Sequence, residues 1–430
     1  MFNLKSLLIF SALALFMFSC EQDDLITPAD TDANISETSF SQADDISEMP
    51  FDQSVLVSDE VIMASIGEED FKEGPAKSGL NASFVYTLSN AVSGNEVIAY
   101  SSTAGNLQEI GRFATGGTGT DTNLANQGAL ILNRRQNLLF ATDAGSNSLA
   151  MFRVRSNGTL RLIDRVELRG DEPISVTSFA NFVYVVNNGS DDIEGYRVSR
   201  NASLEYIQGS QQSLSTTGTA PAQISFGRFG RVLIVTEKAT NKITTFTMNS
   251  NASTDPGNSF ESAADTPFGF SDAFSNIIVV SHATGGRPGE GAVVNYRVDR
   301  FSGVVTQSST VVDDFEGTAT CWVVPTRNRR NFFVTNTFTD DITRLRLGLG
   351  RGGSTTLATD PIGANGATNV GTPATPHDLG LNRFNNQLFV LTVGSDELVS
   401  YQLDNRNDAL IQDSQLSTGT IFATGIAVRN

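Results

Sequence analysis

Seven times between residues 84 and 401 the sequence repeats one pattern: a short apolar run, a small or polar residue, a turn, then a second apolar run that closes on an aromatic residue or leucine. The copies read FVYTLSN, LFATDAGSN, VYVVNNGSDD, LIVTEKATN, VVSHATGG, FFVTNTFTDD and LFVLTVGSDE. Their closing residues are Tyr100, Phe152, Tyr196, Phe246, Tyr296, Leu345 and Tyr401, at spacings of 52, 44, 50, 50, 49 and 56. A period of this size made of short strands is that of propeller blades, where a small sheet buries its faces only by stacking radially on its neighbours. The wealth of Gly, Ser, Thr and Asn, with 28 Phe, suits short strands and tight turns, and no long amphipathic helical pattern interrupts them.

Each blade fills with four strands. In the second, residues 129–132 form inner strand A, 138–142 B, 149–154 C and 160–166 D. The first blade starts directly with strand B at Phe84, and residues 422–428 remain as an A-like strand after the seventh blade is complete. The sequence therefore predicts an all-β, seven-bladed β-propeller over residues 81–430, closed by one strand from the C-terminus plus three from the N-terminus. That closure would hide both terminal edges, which are otherwise open to pairing with other chains.

Residues 1–19 read as a signal peptide: one positive charge at Lys5, then an apolar run over residues 7–18, too short to span a bilayer. Ser19 precedes Cys20, the arrangement of a lipoprotein signal, so the expectation is lipidation of Cys20 and membrane attachment through that lipid. The acidic EQDD after Cys20 resembles the export tag of surface lipoproteins in Bacteroidetes-type bacteria, which points to the outer membrane and the cell surface, with the periplasmic face as the other location. Residues 21–80 hold 16 acids and two lysines, a net charge of −14, whereas residues 81–430 carry only −5. The acidity belongs to this leader. It repels phosphates, which argues against nucleic acid as a partner, and it suits a solvated tether over 20–80 with a coil dimension on the order of 40–45 Å. Cys321, the other cysteine, is left without a partner.

Strands alternate in direction, so the B-to-C turns and D-to-A connections share one face of the ring. The B-strand ends there are Asn90, Asp143, Asn187, Glu237, His282, Asn336 and Thr392, one per blade; the starts of A strands add Gln223, Trp322, His377 and Asp378. Polar side chains around a concave mouth are a candidate ligand site, although Asn and Asp at strand ends also cap turns. His377 could be oriented by Asp378. No cofactor is required; Asp143 and Glu237 with Asn carbonyls leave calcium open, and no Cys/His cluster suits zinc. The opposite face carries the A-to-B turns NRRQN, GRFGR, TRNRRN and NRF, rich in arginine, so the body should be electrically asymmetric.

The segments LLFATDAGSNSLAMFRV (138–154), PAQISFGRFGRVLIVTEKATNKITTF (221–246), TPFGF (266–270) and CWVV (321–324) resemble the lactonase-type seven-bladed propellers, the group of 6-phosphogluconolactonase and carboxymuconate-lactonizing enzymes. In its catalytic members a His and Arg residues near inner-strand starts work with a Glu at the end of a B strand. The resemblance places Glu237 at that Glu position; at the His/Arg positions this chain has Gln127-Gly128 and Ala222-Gln223. Two readings follow. One is a binding or assembly module for a protein or glycan at the outer membrane. The other is a lactone-directed enzyme with Glu237 as general base and His282 or His377 as acid.

Overall fold

The computed structural model describes residues 82–429 except 310, 314–315, 350–354, 360–366, 370–374 and 405–408. Cys20, the signal segment and the tether lie outside the described residues.

Seven antiparallel sheets form the body, and each runs from inner to outer strand in chain order. Blade 4 shows the plan, with A at Pro221–Phe226, B at Val232–Glu237, C at Lys242–Thr247 and D at Asn258–Glu261. Blade 1 is the exception that the repeat count demands: its B, C and D strands are Ser83–Leu88, Glu96–Thr103 and Asn106–Ala114, and its A strand is Thr424–Arg429 from the other end of the chain. The two termini pair antiparallel, with Phe84 opposite Arg429, Val85 opposite Val428 and Tyr86 opposite Ala427. Inner strands of successive blades touch all the way round.

The B strands explain why the repeat is so apolar. Each is sandwiched between neighbouring blades on both faces, so every residue of Leu138–Asp143, Phe182–Asn187, Val232–Glu237 and Ile277–His282 is buried, and the usual alternation is lost. Outer strands face solvent on one side, and Asn106–Ala114 alternates accordingly. Seven apolar clusters result, one at each blade interface. The cluster joining blade 7 to blade 1 holds Phe389 and Leu398 against Val85, Ile98 and Tyr100.

Five inner strands open on the same corner. Glu172, Ala220, Thr266, Ala319 and Thr375 all sit at φ between 45° and 55°, a left-handed conformation that costs a residue with a Cβ about 1 kcal/mol or more. Each gives its carbonyl to the backbone N–H just past the end of strand B, from Asn188, Lys238, Ala283, Thr337 and Val393, at 2.8–3.3 Å. The next residue, Pro173, Pro221, Pro267, Thr320 or Pro376, pairs across to Asn187, Glu237, His282, Asn336 or Thr392. Proline is tolerated there because the first residue of a strand need not donate. This corner aligns the B-strand ends into a ring at one face.

Candidate functional site

The ring exists, and its side chains are turned into the protein. Glu237 is fully buried. Its Oε1 accepts the Ser215 N–H at 3.1 Å and the Thr244 hydroxyl at 2.5 Å, while Oε2 accepts the hydroxyls of Thr240, at 2.7 Å, and Ser215. Ser215 lies in the connection that brings the chain from blade 3 into blade 4, so the carboxylate holds that connection down. Asp143 does the same in blade 2 through Thr115 at 2.5 Å, Asn95 at 2.9 Å and Ser148 at 3.0 Å, and burial raises its pKa. Asn187 donates to Asp192 and Glu194, and Glu194 in turn accepts the N–H groups of Arg169 and Gly170 in the incoming connection. Nε2 of His282 lies 2.7 Å from the hydroxyl of Ser262, again in the connection. Asn336 is bonded to Thr320, Asp341 and Thr343, and Thr392 to Ser395.

Asn90 stands one residue beyond the ring. In blade 1 the position paired across to strand C is Ser89, whose N–H donates to the Glu96 carbonyl, and Asn90 instead clasps the outgoing connection through Thr120 and Thr122. That connection contains ATGGTGT, as its glycines lead one to expect: a Cβ on Gly119 would lie 2.1 Å from the Asn90 backbone. The acids of the B-to-C turns also clamp connections. Asp191 accepts from Gly218 and Thr219, Asp340 from Thr375 and Asp396 from Thr418 and Thr420.

Residues 124–128 lie across the mouth. The Asn126 carbonyl accepts Trp322 Nε1–H at 2.8 Å, and its side chain bonds Ile174 and Thr424. The Gln127 amide exchanges bonds with Val323 at 2.9 and 3.2 Å, its N–H donates to Ala222 at 3.0 Å, and its carbonyl accepts from Ser175 at 2.7 Å. Lys238 Nζ donates to Ala125 at 2.7 Å. The segment thus leads into blade 2 yet bonds to blades 1, 3, 4, 6 and 7.

Around this hub sit the inner-strand candidates. Gln223 accepts the Phe270 N–H at 2.7 Å and so ties blade 4 to blade 5. Trp322 stacks on His377 with ring centroids 4.4 Å apart and meets Phe268 edge-on at 4.8 Å. Asp378 does not orient His377: its oxygens accept the N–H groups of Leu379 at 2.9 Å and Ile426 at 3.1 Å, and Gly128 adds a third. Burial drives both histidines down to about 3, which keeps the imidazoles neutral. Lys238, which the sequence reading passed over although it directly follows Glu237, is pushed down to about 7 by burial; it also donates to Pro221 and lies 5.3 Å from the Phe268 ring centroid. Glu237 and His282 share no hydrogen-bond partner. As for calcium, the oxygens of Asp143 and Glu237 meet hydroxyl and N–H donors, and among the described residues no three His, Cys, Asp or Glu side chains are grouped to hold an ion.

Asp378 carries a pH prediction. Burial pushes its carboxyl up to about 7, against about 3.9 in an unfolded chain. Between those values the folded state keeps a proton that the unfolded state has released. Its stabilising contribution is therefore complete below about pH 4 and is lost as pH rises through 7. Melting temperatures of Asp378→Asn and wild type should diverge in the variant's favour by several degrees on going from pH 5 to pH 8; a constant difference would contradict the assignment.

The comparisons with known proteins agree with this architecture. The family model described as lactonase, seven-bladed β-propeller, matches residues 77–201 and 173–262, a little under half of the chain. The described body is a seven-bladed β-propeller, and this stretch of it is similar to the lactonase type. No curated protein sequence matches it. Among solved structures, a candidate 6-phosphogluconolactonase from Bacteroides fragilis is 12% identical with a TM-score of 0.63, over 83% of this chain and 100% of that one. A second from Bacteroides uniformis is 14% identical with a TM-score of 0.62, over 80% and 98%. The periplasmic gluconolactonase of Pseudomonas aeruginosa is 13% identical with a TM-score of 0.61, over 81% and 99%. At these identities the likeness concerns the fold, and one propeller scaffold hosts many activities.

Proposed function

We propose that this lactonase-type propeller works as a binding or assembly module: a lipoprotein held through Cys20 at the outer membrane, on the cell surface, presenting a rigid body to a protein or glycan partner. The observation that carries the reading is the hub at residues 124–128. Its bonds to blades across the ring occupy the mouth that a lactone would have to enter. The acid in the family's position is also spent. A carboxylate has about four acceptor sites, and four donors fill those of Glu237, whereas a general base must present a lone pair to the substrate's proton. The acidic leader supports the tether and makes nucleic acid an unfavourable partner.

Lactone chemistry is the second reading, favoured by the family match and by Lys238, a cation with a pKa near neutrality over the Phe268 ring. A panel of five- and six-membered sugar lactones separates the two. The module reading expects hydrolysis no faster than in buffer. A protein-dependent acceleration of about a hundredfold, lost in Lys238→Met, would establish the enzyme instead.

A further inference from the structure

We infer that the arginine-rich face of the propeller is a docking surface for an anionic lipid bilayer. The face comprises the A-to-B and C-to-D turns, opposite the ring of B-strand ends. Arg228, Arg300, Arg327 and Arg383 all stand exposed on it. Asp272 and Asp299 on the same side are engaged. Asp272 pairs with Arg329 at 3.6 Å, and Asp299 accepts the N–H groups of Phe301 and Ser302 within its own turn. Arg228, Arg300, Arg327 and Arg383 outnumber the exposed carboxylates of Asp255 and Asp299, which leaves this part of the face net cationic.

Two further observations select a membrane as the source of the negative charge. Large aromatic rings protrude among the arginines: Phe301 is 62% exposed and Phe384 45%. Arg300 and Arg383 lie over these rings at 4.7 and 4.6 Å from their centroids. Exposed phenylalanine beside arginine is costly in water and suited to a headgroup layer, where the ring reaches acyl chains and the guanidinium meets phosphate. Between blades 4 and 5, Arg228, Phe229, Arg231 and Arg300 line a shallow depression on this face. The second observation is connectivity. Strand B of blade 1 (Ser83–Leu88) begins at the A-to-B side of its sheet, so the leader joins the propeller at this face. A chain tethered from its N-terminus can therefore bring the arginines against the surface that holds the tether.

The proposal takes its direction from the anchored-module reading, so its test removes the anchor. Protein beginning at residue 20 and carrying Cys20→Ser is floated with vesicles of phosphatidylcholine alone or with about one-third phosphatidylglycerol, at about 0.1 M and about 0.5 M salt. The chain as a whole has a net charge of −18, so binding to an anionic vesicle requires a segregated cationic face. The expected result is flotation with the anionic vesicles only, lost at the higher salt. Adding Arg228→Glu, Arg300→Glu and Arg383→Glu should weaken it at least about tenfold, and Phe301→Ser with Phe384→Ser should weaken it several-fold at unchanged salt sensitivity. These positions are exposed, and an unchanged melting temperature shows that the variants remain folded. Absence of flotation, or flotation indifferent to the charge reversals, overturns the proposal. Labelling of wild type and Cys20→Ser with a palmitate analogue in cells tests the anchor separately, so each reading can fail alone.

Discussion

A chain ending at Thr420 is expected to lose its cooperative thermal transition altogether. The ten residues removed contain Thr424–Arg429, the inner strand of blade 1. Without them the edge from Phe84 to Leu88 loses its ladder partner, each such bond being worth about 1 kcal/mol net. Asp378 loses the Ile426 N–H, and Asn126 at the hub loses the Thr424 hydroxyl. Gly380, in the inner strand of blade 7, gains empty space where Ile426 and Val428 pack against it. These losses fall on one closure, and their sum is comparable with the whole stability of a typical domain, about 5–15 kcal/mol. Circular dichroism melting and size-exclusion chromatography check the outcome. A truncated chain that elutes as a compact monomer and melts within a few degrees of wild type would refute the one-plus-three closure.

The fold was legible because its signal is long and redundant. Seven copies of a buried B strand leave a period that survives wide divergence, and the orphan strand at the C-terminus is implied by simple counting. The positions of the ring were legible too, since a polar residue at the end of an apolar strand stands out. Asn90 was misplaced by one residue because FVYTLSN ends in two polar residues, and pattern alone does not say which one pairs with strand C.

What the sequence did not disclose is where the ring side chains point. A carboxylate at a strand end reads the same whether it faces a channel or a neighbouring connection, and its partners lie up to 48 residues away, as with Asn95 and Asp143. A weak signal was nevertheless present. Thr115, Ser262 and Thr418 each directly follow a D strand, and each bonds a ring or turn residue, Asp143, His282 and Asp396. A hydroxyl at a fixed offset in the connections after blades 1, 4 and 7 marks a repeated structural latch. The hub was hidden for another reason: Asn126 and Gln127 occur once, in one connection, and a feature outside the repeat has no copies against which to be read.

The same latch makes Glu237 the most informative single position. Glu237→Leu is expected to destabilise the protein by about 3–5 kcal/mol, because the Ser215 N–H and three hydroxyls lose a buried acceptor without access to water. Glu237→Gln keeps the shape and one carbonyl oxygen, and the hydroxyls can rotate toward its amide, so it should cost about 2 kcal/mol. For a body of this size those losses correspond to falls of about 4–7 °C and about 3 °C. The ordering matters more than the values. A carboxylate maintained for catalysis in a site that does not stabilise it behaves in the opposite way, since its removal relieves buried charge and raises the melting temperature while abolishing turnover. If Glu237→Gln melts above wild type, the latch is the wrong description and the ring regains its claim to chemistry. If it melts below, and no lactone is hydrolysed in either protein, the Glu237 carboxylate serves to hold blade 4 to the connection that enters it.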